Sequence, residues 1–231
     1  MSLELKIENL INEHHDNLRE IDKFVFGTSL SYAFFQDKYS ELLEQFKEND
    51  KGMKIFNDLN SKIPEYESEV FVMALINFIA RTEAFLNDLL EILFLWKKKS
   101  LISNKNLSYK EIIESENIDD LIKTIREKEI LEFSHSSFKD KINYFGTKFN
   151  LSFPELDNSL DQIIEMFTTR NIILHNNGIV NETYLKINKG SNFELGSKRI
   201  IDKDYSHNVY INSMIIAKAI GGKIHSKIKN E

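Results

Sequence analysis

From residue 67 to residue 99 the chain is apolar almost all the way round a helical wheel. Phe71, Leu75, Phe78, Phe85, Leu89 and Trp96 fall on one side, and Val72, Ile76, Ile79, Leu90 and Phe94 cover the other. A helix that is apolar on every side is stable only when other helices surround it. The segment is not a bilayer span, because Asn77, Arg81, Glu83 and Asp88 interrupt it well short of the necessary apolar length. Turn chemistry agrees with a helical fold. The 231 residues contain eight Gly and two Pro, and these are the residues that turn-rich β folds consume. The expectation is an all-α chain built around this spine.

Helical spacing recurs on both sides of the spine. Leu3, Ile7, Leu10, Ile11, Leu18 and Ile21 form one stripe, and His14 falls on it as a buried helix residue rather than a ligand. Gly27-Thr28-Ser29 is expected to break that helix and cap the next, whose stripe runs through Tyr32, Phe35, Tyr39 and Leu42. Pro64 is expected to end this section. Short helices are expected near 108–114 and 118–127, and another from Ser136 or Ser137 to Gly146. Residues 183–187 and 193–201 flank Asn188-Lys189-Gly190-Ser191 and read as a small β-hairpin, followed by a last helix over about 206–229. No repeat or low-complexity linker divides the chain, so 1–231 is expected to be a single domain.

Composition removes several functions. With no Cys there is no disulfide scaffold, thiolate metal site or cysteine nucleophile. The net charge of −6 does not suit a protein that coats nucleic acid non-specifically, which needs many cations on phosphates. A small site touching a few phosphates is still compatible with it. Lys97-Lys98-Lys99 reads as the cationic complement of a helix C-terminus rather than a nucleic-acid patch. No Walker loop, Gly-rich dinucleotide fingerprint, nucleophile elbow or metal-ligand spacing occurs, so no cofactor and no metal is expected. The N-terminus has no secretion signal, and a cytoplasmic protein without membrane attachment is expected.

One helix contradicts its own pattern. Over 160–175, Leu160, Ile163, Ile164, Met166, Phe167, Ile173 and Leu174 make an apolar arc. Arg170 sits within that arc, Asn171 lies beside Leu160 and Ile164, and His175 marks its edge. Burying a guanidinium without a partner is very costly. This face therefore lines a polar cleft, lies at an interface, or meets a carboxylate such as Glu83 or Asp88 of the spine. In the last case Arg170 has a purely structural role and His175 merely caps a helix end.

Arg170-Asn171-Ile172-Ile173-Leu174-His175, at the end of a long helix, resembles the Arg-x4–6-His signature of HEPN domains. The spine segment Phe78-Ile79-Ala80-Arg81-Thr82-Glu83-Ala84-Phe85-Leu86 is similar to that of RiboL-PSP-like HEPN proteins. So is the continuation His175-Asn176-Asn177-Gly178-Ile179-Val180-Asn181-Glu182. The likeness covers about residues 65–220. Thr169 departs from it, standing where relatives often carry a second basic residue. The resemblance implies a HEPN-like helical bundle over 63–231, preceded by a helical extension over 1–62.

It further implies a metal-independent endoribonuclease, or a non-catalytic relative that uses the same cleft to bind a nucleotide or partner protein. Such proteins work as homodimers with a composite site. They serve as toxins, each with a cognate antitoxin protein, or as phage-defence effectors. The chemistry of the residues agrees. Cleaving RNA without metal requires moving the 2′-OH proton and neutralising charge on the phosphorane. His175 can transfer protons near neutral pH, and Arg170 presents a fork to two phosphate oxygens. Asn171 is the supporting residue that fixes the imidazole or a phosphate oxygen, and Glu83 is the candidate acid behind the pair. Attack by the substrate's own 2′-OH leaves a 2′,3′-cyclic phosphate and spares DNA.

Overall fold

The computed structural model describes residues 2–47, 49–102 and 105–230. Helices α1 (Leu3–Phe46), α2 (Asp50–Trp96), α3 (Tyr109–Glu114), α4 (Ile118–His135) and α5 (Phe138–Phe149) are followed by α6 (Leu160–Asn176). Then come α7 (Glu182–Ile187), α8 (Lys203–Ile216) and α9 (Gly222–Asn230). Short 3₁₀ turns span Lys98–Leu101 and Pro154–Ser159, and a π turn spans Ala217–Gly221. Among the described residues no strand forms, and the chain is all-α as its spine requires. None of the described helices is long and apolar enough to cross a membrane.

Two expected breaks are absent. Gly27 lies inside α1, because the hydroxyls that could have capped a new helix bond backwards instead. Thr28 Oγ1 donates to the Phe24 carbonyl and Ser31 Oγ to that of Gly27, each at 2.8 Å. A single helical glycine costs only about 1 kcal/mol, which a 44-residue helix tolerates. Pro64 likewise lies inside α2. Its ring removes one backbone hydrogen bond, and burial of Ile63 just before it and Phe71 after it keeps the chain helical across the gap. Gly146 also fails to end α5. The helix gains another turn that buries Phe149, and Asn150 closes it at φ 52 with its N–H on the Gly146 carbonyl at 3.0 Å.

The chain divides into two compact units, each gathered from separate stretches. The first comprises Met1–His15, Ala80–Phe167 and Met214–Glu231. Aromatic pairs fill its core: Phe94 on Phe149 at 5.8 Å, Phe145 on Phe153 at 6.1 Å and Phe138 on Phe167 at 5.1 Å. His14 is buried there, stacked on Phe85 at 4.5 Å. Ser108 and Glu111 form a reciprocal capping box at the start of α3, as the Ser-x-x-Glu spacing dictates. Lys141 is buried as well, and its ammonium caps the end of α4 by donating to the carbonyls of Ser134 (2.9 Å) and Ser136 (2.6 Å).

Glu129 is the other buried charge of this unit. Its carboxylate accepts the Tyr144 hydroxyl at 2.6 Å and lies 2.6 Å from the Lys105 ammonium. Burial pushes the Glu129 carboxyl upward, but the bonds from Lys105 and Tyr144 outweigh it and hold the group below its ordinary range. Tyr144 is driven up, first by burial and then by its bond to the carboxylate. Tyr144→Phe therefore leaves a buried anion short of one donor. The expected cost is about 1.5–3 kcal/mol in urea denaturation, and an unchanged midpoint would refute the role given to this bond.

The second unit comprises Asp16–Ile79 and Thr168–Ser213. Phe35 of α1 stacks on Phe56 of α2 at 6.0 Å, and Phe78 meets Tyr210 of α8 at 5.7 Å. The β-hairpin expected over 183–201 does not form. Asn181 accepts the Tyr184 N–H at 2.8 Å and so caps a helix, and residues 182–187 wind into α7. That winding buries Tyr184 against Ile172 and Val180, a contact the strand alternation of Thr183, Leu185 and Ile187 would not make. The returning segment is extended for only a moment. Ile179 and Lys198 form an isolated antiparallel bridge.

Candidate functional site

The end of α6 is built as a stop. Asn177 (φ 50) and Gly178 (φ 72) are both left-handed, and the Gly178 N–H returns to the Ile172 carbonyl at 2.9 Å. Gly178 has little freedom to change. Its φ strains any other residue, and a Cβ there would touch the Lys198 side chain at 3.5 Å. Asn176 Nδ2 donates to the Ile179 carbonyl at 2.7 Å. The Val180 N–H reaches Ser197 and the Arg199 N–H reaches Gly178, at 2.9 and 2.8 Å. The last turn of α6, which carries His175, is thus clamped by the segment that follows it.

This clamp alters which face of α6 is buried. The wheel placed Leu174 on the apolar arc and left Ile172 off it. In the structure Ile172 is buried under Val180 and Tyr184, while Leu174 is exposed. Chain folding back over the helix end moves the buried stripe round by two residues. Asn171 and His175 both stand exposed, four residues apart and hence on one face. Arg170 is half-buried. Five residues at about 100° each set Arg170 roughly 140° from His175 round the helix. Within one chain, the guanidinium and the imidazole therefore leave α6 in different directions. Thr169 is wholly buried, so that position adds no polar group to the surface. Glu83 is a half-buried residue of α2 and belongs to the first unit, whereas Arg170, Asn171 and His175 belong to the second.

Two cations near the helix end were not anticipated. The Lys198 ammonium donates to the Asn177 carbonyl, where it complements the negative end of α6. The Arg199 guanidinium lies over the Tyr205 ring at 4.0 Å and the Phe193 ring at 4.6 Å, and donates to the Ile200 carbonyl at 2.8 Å. Their adjacency in Lys198-Arg199 was visible in the sequence. Their place beside α6 was hidden, because it depends on the return of the loop to Gly178. Among the described residues, no three His, Asp or Glu side chains are grouped so as to hold a metal ion. No family model matches the chain, and no curated protein or solved structure matches it.

Proposed function

We propose that the chain is a metal-independent endoribonuclease of HEPN type whose working groups are Arg170 and His175, with Asn171 in support. The observation that carries the reading is the exposed Asn171–His175 pair at a rigidly terminated helix end, one residue beyond the half-buried Arg170. In this reading His175 moves the 2′-OH proton, Arg170 neutralises the phosphorane, and Asn171 holds the imidazole or a phosphate oxygen. The angle of roughly 140° between Arg170 and His175 gives a homodimer a chemical purpose. A two-fold pair supplies both groups twice, so the acid and base can come from different chains. Lys198 adds a cation close to the same helix end.

The cellular role that goes with this reading is that of a toxin restrained by an antitoxin protein, or of a phage-defence effector. The test is incubation of the purified chain with labelled single-stranded RNA in excess EDTA. Fragments ending in 2′,3′-cyclic phosphate, with the matching DNA left intact, are the expected result. RNA left whole, or cut only when divalent cations are supplied, would overturn the proposal. The buried Thr169 favours one competing reading, a non-catalytic module that binds a nucleotide or partner protein. It leaves Arg170 without a neighbouring basic residue on α6, which lowers the charge available for phosphate.

A further inference from the structure

Within the second unit, α1 has two opposite faces, and only one is used. Leu18 and Val25 are buried, and Tyr32, Phe35 and Tyr39 continue that face half-buried. On the other side of the wheel lie Phe26, Leu30 and Phe34, spaced four residues apart. They remain 61%, 59% and 65% exposed. Three such side chains in one ridge are more than the scattered surface apolar residues of an ordinary monomer. Along the same ridge the charges are segregated. Arg19 and Lys23 stand exposed on its N-terminal side, and Asp37 and Glu41 on its C-terminal side.

We propose that this ridge is a self-association surface, on which a second copy of the chain lays its α1 antiparallel about a two-fold axis at Leu30. The pattern is its own complement under that operation. Positions equally distant from residue 30 come together, so Phe26 meets Phe34 of the partner copy, Lys23 meets Asp37 and Arg19 meets Glu41. Two-fold symmetry makes each contact twice, which is the self-complementarity an isologous interface requires. A parallel pairing would set Lys23 against Lys23 and Asp37 against Asp37, and like charges face to face select against it. The existing intrahelical pairs, Arg19–Asp16 at 3.0 Å and Lys23–Glu20 at 2.7 Å, are exposed and cost little to share. The next positions outward, Asp16 and Glu44, are alike in charge, but each keeps a cation on its own helix, Arg19 and Lys47.

The area is adequate for a reversible dimer. A large apolar side chain removes about 150–250 Å² when fully buried, so six of them starting three-fifths exposed remove roughly 700 Å². The stems of Arg19 and Lys23 raise the total toward about 1,000 Å², the lower bound for a specific interface. The dimer should therefore depend on concentration. The argument uses α1 alone and does not rest on the ribonuclease reading.

Sedimentation velocity of the full chain over a range of concentrations tests the association, and disulfide trapping tests its direction. The wild type should move from monomer to dimer. Leu30→Lys, which sets two ammonium groups on the axis, should weaken association by about tenfold or more with an unchanged helical circular dichroism spectrum. The chain has no Cys, so single replacements give unambiguous cross-links. Lys23→Cys mixed with Asp37→Cys should yield a mixed disulfide dimer on mild oxidation, and neither variant alone should. A wild type that stays monomeric, a Leu30→Lys chain that dimerises as the wild type does, or self-cross-linking of Lys23→Cys would each overturn the proposal.

Discussion

Under the proposed activity, His175→Ala is expected to slow cleavage of single-stranded RNA by about 10²–10⁴-fold, the usual worth of a positioned proton-transfer group. Its melting temperature should match that of the wild type. The two expectations separate because His175 is exposed and its ring supports no core contact. Exposed substitutions of that kind generally change stability by less than about 0.5 kcal/mol. Arg170→Ala is expected to lose activity to a similar degree, but it is the more searching test because Arg170 is half-buried. If its role were only structural, truncation would cost roughly 3–5 kcal/mol by stranding a buried partner, and the folded fraction would retain full activity. Urea denaturation run beside the RNA assay distinguishes these outcomes. Full activity in either folded variant removes that residue from the mechanism.

The second strong effect is on acid stability and concerns His14. The imidazole is 4% exposed and stacked on Phe85, and its Nε2 has no hydrogen-bond partner among the described residues. Burial lowers its pKa to about 4, and the neighbouring charges of His15 and Arg81 push in the same direction. An unfolded His takes up its proton near pH 6.5, whereas the folded one resists until about pH 4. Between those values the unfolded state binds more protons, so the native state loses stability as pH falls through the window. Over the whole window this group should cost about 3 kcal/mol. His14→Leu keeps the volume and removes the titration. Its stability should therefore fall less than that of the wild type between pH 7 and pH 4. Parallel curves for the two proteins would refute the assignment.

Much of this architecture is legible in residue patterns. An apolar surface on every side of residues 67–96 forces helices around it, and Ser108, Asn117, Ser137 and Asn181 each accept a backbone N–H where a cap is read. The stop at Asn177-Gly178 is written in the two residues that tolerate left-handed backbone. Where the reading failed, a local signal was weighed without its surroundings. Gly27-Thr28-Ser29 has the composition of a break, yet both hydroxyls that bond there point back along one uninterrupted helix. Pro64 has the chemistry of a stop, yet lies inside α2. The alternation over 183–187 looks like a strand until Asn181 caps it and Tyr184 finds Ile172.

The same division runs through the candidate site. Spacing alone placed Asn171 and His175 on one face of one helix, because 3.6 residues per turn is a property of the backbone. No pattern in α6 could show that Ile172 would be buried and Leu174 exposed. That exchange is made by Val180 and Tyr184 folding back on the helix end. Nor could it bring Lys198, distant in the chain, onto the Asn177 carbonyl. Helical periodicity, caps and left-handed stops are local free energies and can be read from neighbouring residues. Which side of a helix becomes interior depends on segments far away in the chain, and only the folded structure brings those into contact.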